Sequence, residues 1–249
     1  MYEPRLYRNN QQNDRFSRFE LSYLETDLWI AYSPAISENT LREFVIDTII
    51  SLRKNITEYK RNHPEFITSY SPLRVDPKAP LIIQKMLNAA ILANVGPMAA
   101  VAGAFAEIIG QSLKREFSLN ELILENGGDL YLYIHQPVLI RIHAGDSPLS
   151  DTIALKISPE YSPLGICTSS GKIGHSQSFG IADAVTIACK DSAEADAFAT
   201  AFGNKIKTIT DIDAVIAETQ TIQSILSALV IVDDKIGIQG KFEIQIIGH

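Results

Sequence analysis

Apolar side chains recur at steps of three and four from Leu41 through Phe44, Val45, Ile49, Leu52 and Ile56 to Tyr59, with Thr48 on the same side. That spacing marks one stripe of a long amphipathic helix. Ser37 is placed to cap it, and the His63-Pro64 step predicts its end, because a residue before proline disfavours the helical region. Upstream, residues 18–32 alternate through Phe19, Leu21, Tyr23, Leu28 and Ile30, which predicts two strands around a turn. Residues 66–73 read as a strand entering a loop punctuated by Pro72, Pro77 and Pro80. Helices are expected over 79–93 and 98–114. Strands follow at 121–124 and 130–134, joined through Glu125, Asn126, Gly127, Gly128 and Asp129, a turn composition. Further strands are expected at 138–143, 152–157, 184–188, 228–232 and 235–238. Asp233-Asp234 forms a hairpin turn, and 242–247 closes the sheet.

Residues 86–106 carry no charge and invite a membrane reading. Asn88, Asn94, a central Gly96-Pro97 and much alanine instead predict two buried helices broken at Gly96-Pro97. No membrane insertion is expected. The 249 residues are 46% apolar, ordinary for one large globular core or two closely joined lobes. A net charge of −7 without a basic stripe argues against nucleic-acid binding. The N-terminal stretch has no apolar run of signal-peptide length, and Cys167 and Cys189 lack zinc or redox spacing. A cytoplasmic location is the expectation. Residues 1–17 read as a polar tail.

The richest chemistry lies in residues 164–204. Thr168, Ser169, Ser170 and Gly171, then Gly174 and His175, form a hydroxyl- and glycine-rich loop of the kind that holds phosphate. A helix beyond it carries Asp196 and Thr200, four apart and so on one face. A carboxylate and a hydroxyl one turn apart are hard oxygen ligands suited to Mg²⁺. There is also an internal echo. Residues 102–110 (AGAFAEIIG) align with 195–203 (ADAFATAFG) at five of nine positions, which suggests two similar lobes, about 18–135 and 136–249.

Three blocks resemble the ApbE-like superfamily, known for FAD:protein FMN transferases, and in particular a short cytoplasmic branch of it. They are Asn126-Gly127-Gly128-Asp129, the Thr168-Ser169-Ser170-Gly171 loop with His175 after it, and the Ala195–Ala201 helix, in the family's order. The resemblance implies an α+β fold of duplicated T-fold-like lobes, with antiparallel sheets packed by helices. It implies Mg²⁺ held by Asp196, Thr200 and a main-chain carbonyl near the glycine-rich helix. It also implies FAD bound through Asn126, Gly127, Gly128, Asp129 and the 168–171 hydroxyl loop, with His175 as acid/base or phosphate partner. The implied activity is FMN transfer to an acceptor protein, or cleavage of the FAD diphosphate. The alternative it leaves is a flavin- or nucleotide-binding accessory protein without turnover, in anaerobic sulfur and homocysteine metabolism. The chain departs from the pattern at Ala102, where the family has lysine, and at 176–180, where the family has an Asp-Pro and glycine turn.

Each of these residues has a plainer role open to it. Asp196 could complement charge at a helix start and Thr200 pack in the core. His175 could lie in an inert surface loop, and Asp129 could stabilise a turn. Glu107, alone on an apolar helix, is expected to face solvent, or else to serve as a pocket acid. Gly103 serves either a close approach to a ligand or tight packing, and Cys167 is expected to be a packed small residue. His135 and His143 read as structural.

Overall fold

The computed structural model describes residues 15–33, 36–171 and 180–247. Strands β1 (Ser17–Tyr23) and β2 (Thr26–Tyr32) form the first hairpin, turning at Leu24 with φ 55°. Helix α1 (Glu38–Asn62) buries Leu41, Val45, Ile49 and Leu52, and its last turn is closed by the His63 amide bonding to Tyr59 O. The expected strand at 66–73 is instead a helical turn, α2 (Glu65–Thr68), followed by loop. Pro64 presets a helical φ at its start, and a fully buried Phe66 anchors it.

Helix α3 (Leu81–Ala93) stops at Asn94, whose φ of 55° is the left-handed end of a helix. A 3₁₀ turn (Pro97–Ala100) leads into α4 (Val101–Phe117), and the path bends by 105° between α3 and this 97–117 segment. Among the described residues no single helix is long and apolar enough to cross a membrane, though this bent pair passes by length and composition. Both of its helices are largely buried in the core.

Strands β3 (Leu122–Asn126), β4 (Asp129–Tyr133), β5 (Val138–Arg141), β6 (Ile153–Ile157), β7 (Leu164–Ser169) and β8 (Ala184–Cys189) follow. Helices α5 (Ser192–Gly203) and α6 (Asp211–Gln220) precede β9 (Ile225–Val232), β10 (Lys235–Gly240) and β11 (Glu243–Ile246). Eight strands make one antiparallel sheet in the order β1-β2-β3-β4-β7-β8-β9-β10. The unit strand–strand–helices–strand–strand therefore occurs twice, and the halves join where β4 pairs with β7. β11 does not close that sheet. It pairs with β6 in a separate three-stranded sheet, β11-β6-β5.

Each central strand splits its side chains between two cores, as the period of two requires. Leu122, Leu124 and Tyr131 join the helix-side core, whereas Ile123 and Leu132 face the small sheet with Ile140, Leu155 and Ile157. The molecule is thus three layers: helices, large sheet, small sheet.

The order of elements recurs, but the echoed segments do not hold the same place in it. α4 is the last helix of the first unit and α5 the first helix of the second. Their shared small residues have another cause, because α4 and α5 pack directly on each other. A methyl group built on Gly103 would stand 2.2 Å from Ser192 O and 2.8 Å from Asp196 Cβ.

Just before β3, Glu121 accepts hydrogen bonds from Arg15 Nε at 2.7 Å, His135 N at 2.6 Å and Gln136 N at 3.2 Å. Burial alone would raise this carboxyl. The Arg15 and His135 hydrogen bonds and the Arg15 charge outweigh it and hold the group below its ordinary 4.5.

Two outcomes are expected. Leu52→Asp places an unpartnered charge under α1 and should cost about 3 kcal/mol or more in denaturant unfolding. Because the Glu121 pKa is depressed on folding, its contribution is present above about pH 4.5 and fades as pH falls through the folded value. Glu121→Gln should therefore destabilise by about 1–3 kcal/mol at neutral pH, with the gap to the wild-type melting temperature narrowing in acid.

Candidate functional site

The site begins with a two-residue turn. Gly127 and Gly128 have φ of 72° and 103°, which only glycine adopts without strain, and they link β3 to β4. The register pairs Asn126 with Asp129, and Asp129 in turn with Cys167 on β7. All three are on the helix side, beneath the N-terminus of α4 and the first turns of α5. Asn126 Nδ2 donates to Ala102 O at 3.1 Å, tying the turn to α4.

Asp196 reaches the same place from α5. Its Oδ2 accepts from Gly103 N at 2.9 Å, and the Ala102 amide also bonds to its carboxyl. These amides lie in the first turn of α4, where a helix has no internal acceptors for them. Burial raises the Asp196 carboxyl to about 7, against the opposing pull of the two amides. Asp129 is raised well above its usual range, by burial first and then by the charge of Asp196. The Thr168 amide and the Cys167 thiol counter this only in part. Two carboxyls thus crowd one poorly solvated spot, an arrangement that a cation would relieve.

Cys167 is fully buried, its thiol 3.3 Å from Ser192 O and also against Asp129. Burial and the two acids push it up, which favours a neutral, packed thiol. Thr200 follows Asp196 by one turn on α5 and is partly exposed.

The hydroxyl segment divides. Thr168 and Ser169 belong to strand β7, and neighbours in a strand face opposite sides. Thr168 Oγ1 lies 2.9 Å from Thr186 Oγ1, on the small-sheet side. Ser169 is on the helix side beside the end of α5, where a methyl on Gly203 would stand 3.4 Å from its Oγ. Ser170 follows the strand, and the Gly171 amide bonds to Ala182 O at 2.8 Å. His175 and Gly174 lie outside the described residues. The turn 126–129 and Asp196 therefore come together, Ser169 shares their face of the sheet beside the end of α5, and the Thr168 hydroxyl points to the other face.

Sequence reasoning missed a second polar cluster. Glu107 does not face solvent: it is 5% exposed. Its Oε1 accepts from Lys85 Nζ at 3.0 Å and from Gln111 Nε2 at 2.8 Å, and its Oε2 from Ser192 N at 2.8 Å. Lys85 also pairs with Asp191, which caps α5 by accepting from Ala193 N at 2.9 Å and Glu194 N at 3.1 Å. Burial would lower Lys85, but the Glu107 and Asp191 charges reverse this and raise it. Glu107 is raised by burial and by Asp191 despite Lys85. The signal was available: Lys85 is the one charge in α3, and Lys85 and Glu107 flank the uncharged stretch 86–106.

Among the described residues no three His, Cys, Asp or Glu side chains are grouped as a metal cluster. The oxygens on hand are those of Asp196, Thr200, Asp129 and the Ala102 carbonyl. A cleft of about 380 Å³ lined by Tyr59, His63, Phe66, Arg74 and Asp76, among others, involves none of these residues.

Residues 8–239 match the family model described as AbpE bacteria. The chain belongs to this ApbE-like family. It is 37% identical over 226 residues to a UPF0280 protein of Methanococcus aeolicus, covering 89% of each chain. A UPF0280 protein of Methanocaldococcus jannaschii is 40% identical over 200 residues, covering 78% of this chain and 80% of that one. Among solved structures, the flavin transferase ApbE from Vibrio cholerae superposes with a TM-score of 0.59 at 13% identity. That match covers 90% of this chain and 97% of that one. An ApbE protein from Thermotoga maritima gives 0.56 at 13% identity, covering 89% and 96%. The ApbE-like fold is shared with these proteins.

The close α4–α5 contact is open to test. Gly103→Ala should destabilise by about 1–3 kcal/mol, because its methyl would meet Ser192 backbone. Gly203→Ala meets only the end of the Ser169 side chain, so it should change stability by less than about 1 kcal/mol in the same denaturant titration.

Proposed function

We propose that this ApbE-like chain binds a flavin nucleotide, with FAD as the model ligand, through Mg²⁺ held by Asp196 and Thr200. The observation that carries the reading is the juxtaposition of Asp196 with Asp129 at the α4 N-terminus, two acids raised by burial, with Asp129 raised further by the Asp196 charge. Bound there, Mg²⁺ would neutralise the diphosphate and stabilise charge developing at phosphorus. Asp196 supplies the anionic oxygen, and Thr200, one turn on, a neutral one. The Ala102 carbonyl offers a third once Asn126 Nδ2 yields it. Ser169, Ser170, Gly171 and the Gly127-Gly128 amides supply phosphate donors. His175 is the candidate acid/base, since a neutral imidazole exchanges protons near pH 7. Thr168 contributes through its main chain, because its hydroxyl is engaged with Thr186. The acceptor would be a protein hydroxyl. The site serves one domain of two lobes, in a chain read as cytoplasmic.

Ala102, at the position where the family carries lysine, favours a second reading: nucleotide binding without turnover. Incubation with FAD and Mg²⁺, followed by separation of FMN and AMP from FAD, distinguishes the two.

Calorimetry of wild type and Asp196→Asn with FAD, with and without Mg²⁺, tests the metal bridge. Wild type should bind FAD about tenfold or more tightly with Mg²⁺, and Asp196→Asn should lose that gain while staying folded. Equal affinity in all four titrations would sink the metal bridge, and binding in none would remove the flavin reading.

A further inference from the structure

Two hydrogen bonds cross the α4–α5 contact in opposite directions. Asp196 of α5 accepts from Gly103 N, in the first turn of α4, at 2.9 Å. Glu107 of α4 accepts from Ser192 N, the first residue of α5, at 2.8 Å. Glu107 follows Gly103 by four residues, and Asp196 follows Ser192 by four, so the helices run antiparallel here. The two bonds sit one turn apart, about 6 Å. Between them Gly103 lies against Ser192 O and the Asp196 side chain with no room for a methyl group. α5 therefore has one position along α4, and Asp196 and Thr200 are carried on α5.

A buried ion cluster such as Glu107–Lys85–Asp191 is weak as a source of net stability, because desolvation offsets the attraction. What it does fix is geometry. Lys85, on α3, bonds both Glu107 and Asp191. Asp191 and Glu107 between them accept from the amides of residues 192, 193 and 194, the opening of α5. Lys85 thus locks three helices at the point from which α5 departs. Neither Lys85 nor Glu107 is hydrogen-bonded to Asp196, so any effect on the site passes through the placement of α5.

We propose that Glu107 is a positioning residue for the Asp196–Thr200 site: by holding Ser192 N it sets where α5 stands on α4, and Lys85 holds the Glu107 carboxylate in place. The link to Mg²⁺ and a flavin nucleotide rests on the preceding reading, whereas the placement of Asp196 does not.

The test compares Glu107→Leu, which fills the space without bonding Ser192, with Glu107→Gln, whose amide oxygen can still accept from it. The first readout needs no ligand: hydrogen exchange of the Gly103 amide, the donor to Asp196. In Glu107→Leu it should exchange about tenfold faster or more, with later α4 amides such as Leu113 unchanged. Glu107→Gln should restore it in part, since its oxygen keeps the Ser192 bond while its NH2 loses the Lys85 and Gln111 bonds. The second readout is the ratio of FAD affinities with and without Mg²⁺. That ratio should fall about tenfold or more in Glu107→Leu, in the range typical of groups that orient metal ligands. It should return in part in Glu107→Gln and show no further loss when Glu107→Leu is added to Asp196→Asn.

Unchanged Gly103 exchange in Glu107→Leu would overturn the proposal whatever the ligand. A retained Mg²⁺ effect in that variant would do the same. Faster Gly103 exchange in a protein whose wild type shows no Mg²⁺-dependent FAD binding would support the placement and remove the functional reading. Should Glu107→Leu fail to fold, Lys85→Met frees the carboxylate from its holder. It should move both readouts the same way by a smaller factor, and no movement in either would overturn the proposal.

Discussion

The structure depends on the exchange of carboxylates between two helix N-termini. A helix start presents amides with no internal acceptor and a partial positive charge, and an anion satisfies both. Here each helix supplies the anion for the other: Asp196 for α4, Glu107 for α5. That exchange is possible only if the helices nearly touch, which Gly103 and the neighbouring alanines allow. The same contact sets the chemistry, because the acid that completes the α4 start is the one brought against Asp129. Packing and site are one arrangement.

The sheet supplies the floor. A glycine turn aligns Asn126 and Asp129, and the ladder continues that row to Cys167 and Ile187. A polar row inside a sheet is costly unless something above it completes its hydrogen bonds. Ala102 O meets Asn126, while the Cys167 thiol and the Thr168 amide meet Asp129.

Much of this was legible in the sequence, wherever the signal is local. The α1 stripe, the break at Gly96-Pro97 and the 127–128 and 233–234 turns follow from period, proline and glycine, and each lies where expected. The ApbE-like fold came from three short blocks in order. The errors are non-local. The apolar positions of 66–73 suit a strand or a helix, and only the burial of Phe66 decides for the latter. Thr168 and Ser169 have loop composition, yet they complete a strand, paired with Thr186 and Val185 of β8, which splits a single hydroxyl run between two faces. Glu107 is expected from sequence to face solvent, or else to serve as a pocket acid, because its partners, Lys85 and Ser192, are 22 and 85 residues away. The echo of α4 in α5 had the look of ancestry, but these helices hold different places in the two units and share a need for closeness.

The β4–β7 junction has a consequence for how the chain can be divided. Each half has the strands and helices of a complete unit, so the segment between β4 and β7 looks like a natural point of separation. Severed there, each half would bare an inner strand, β4 or β7, as a new edge, a row of amides and carbonyls with no partner but another chain. The two units therefore share one continuous sheet, held at its midpoint by the four residue pairs of the β4–β7 ladder.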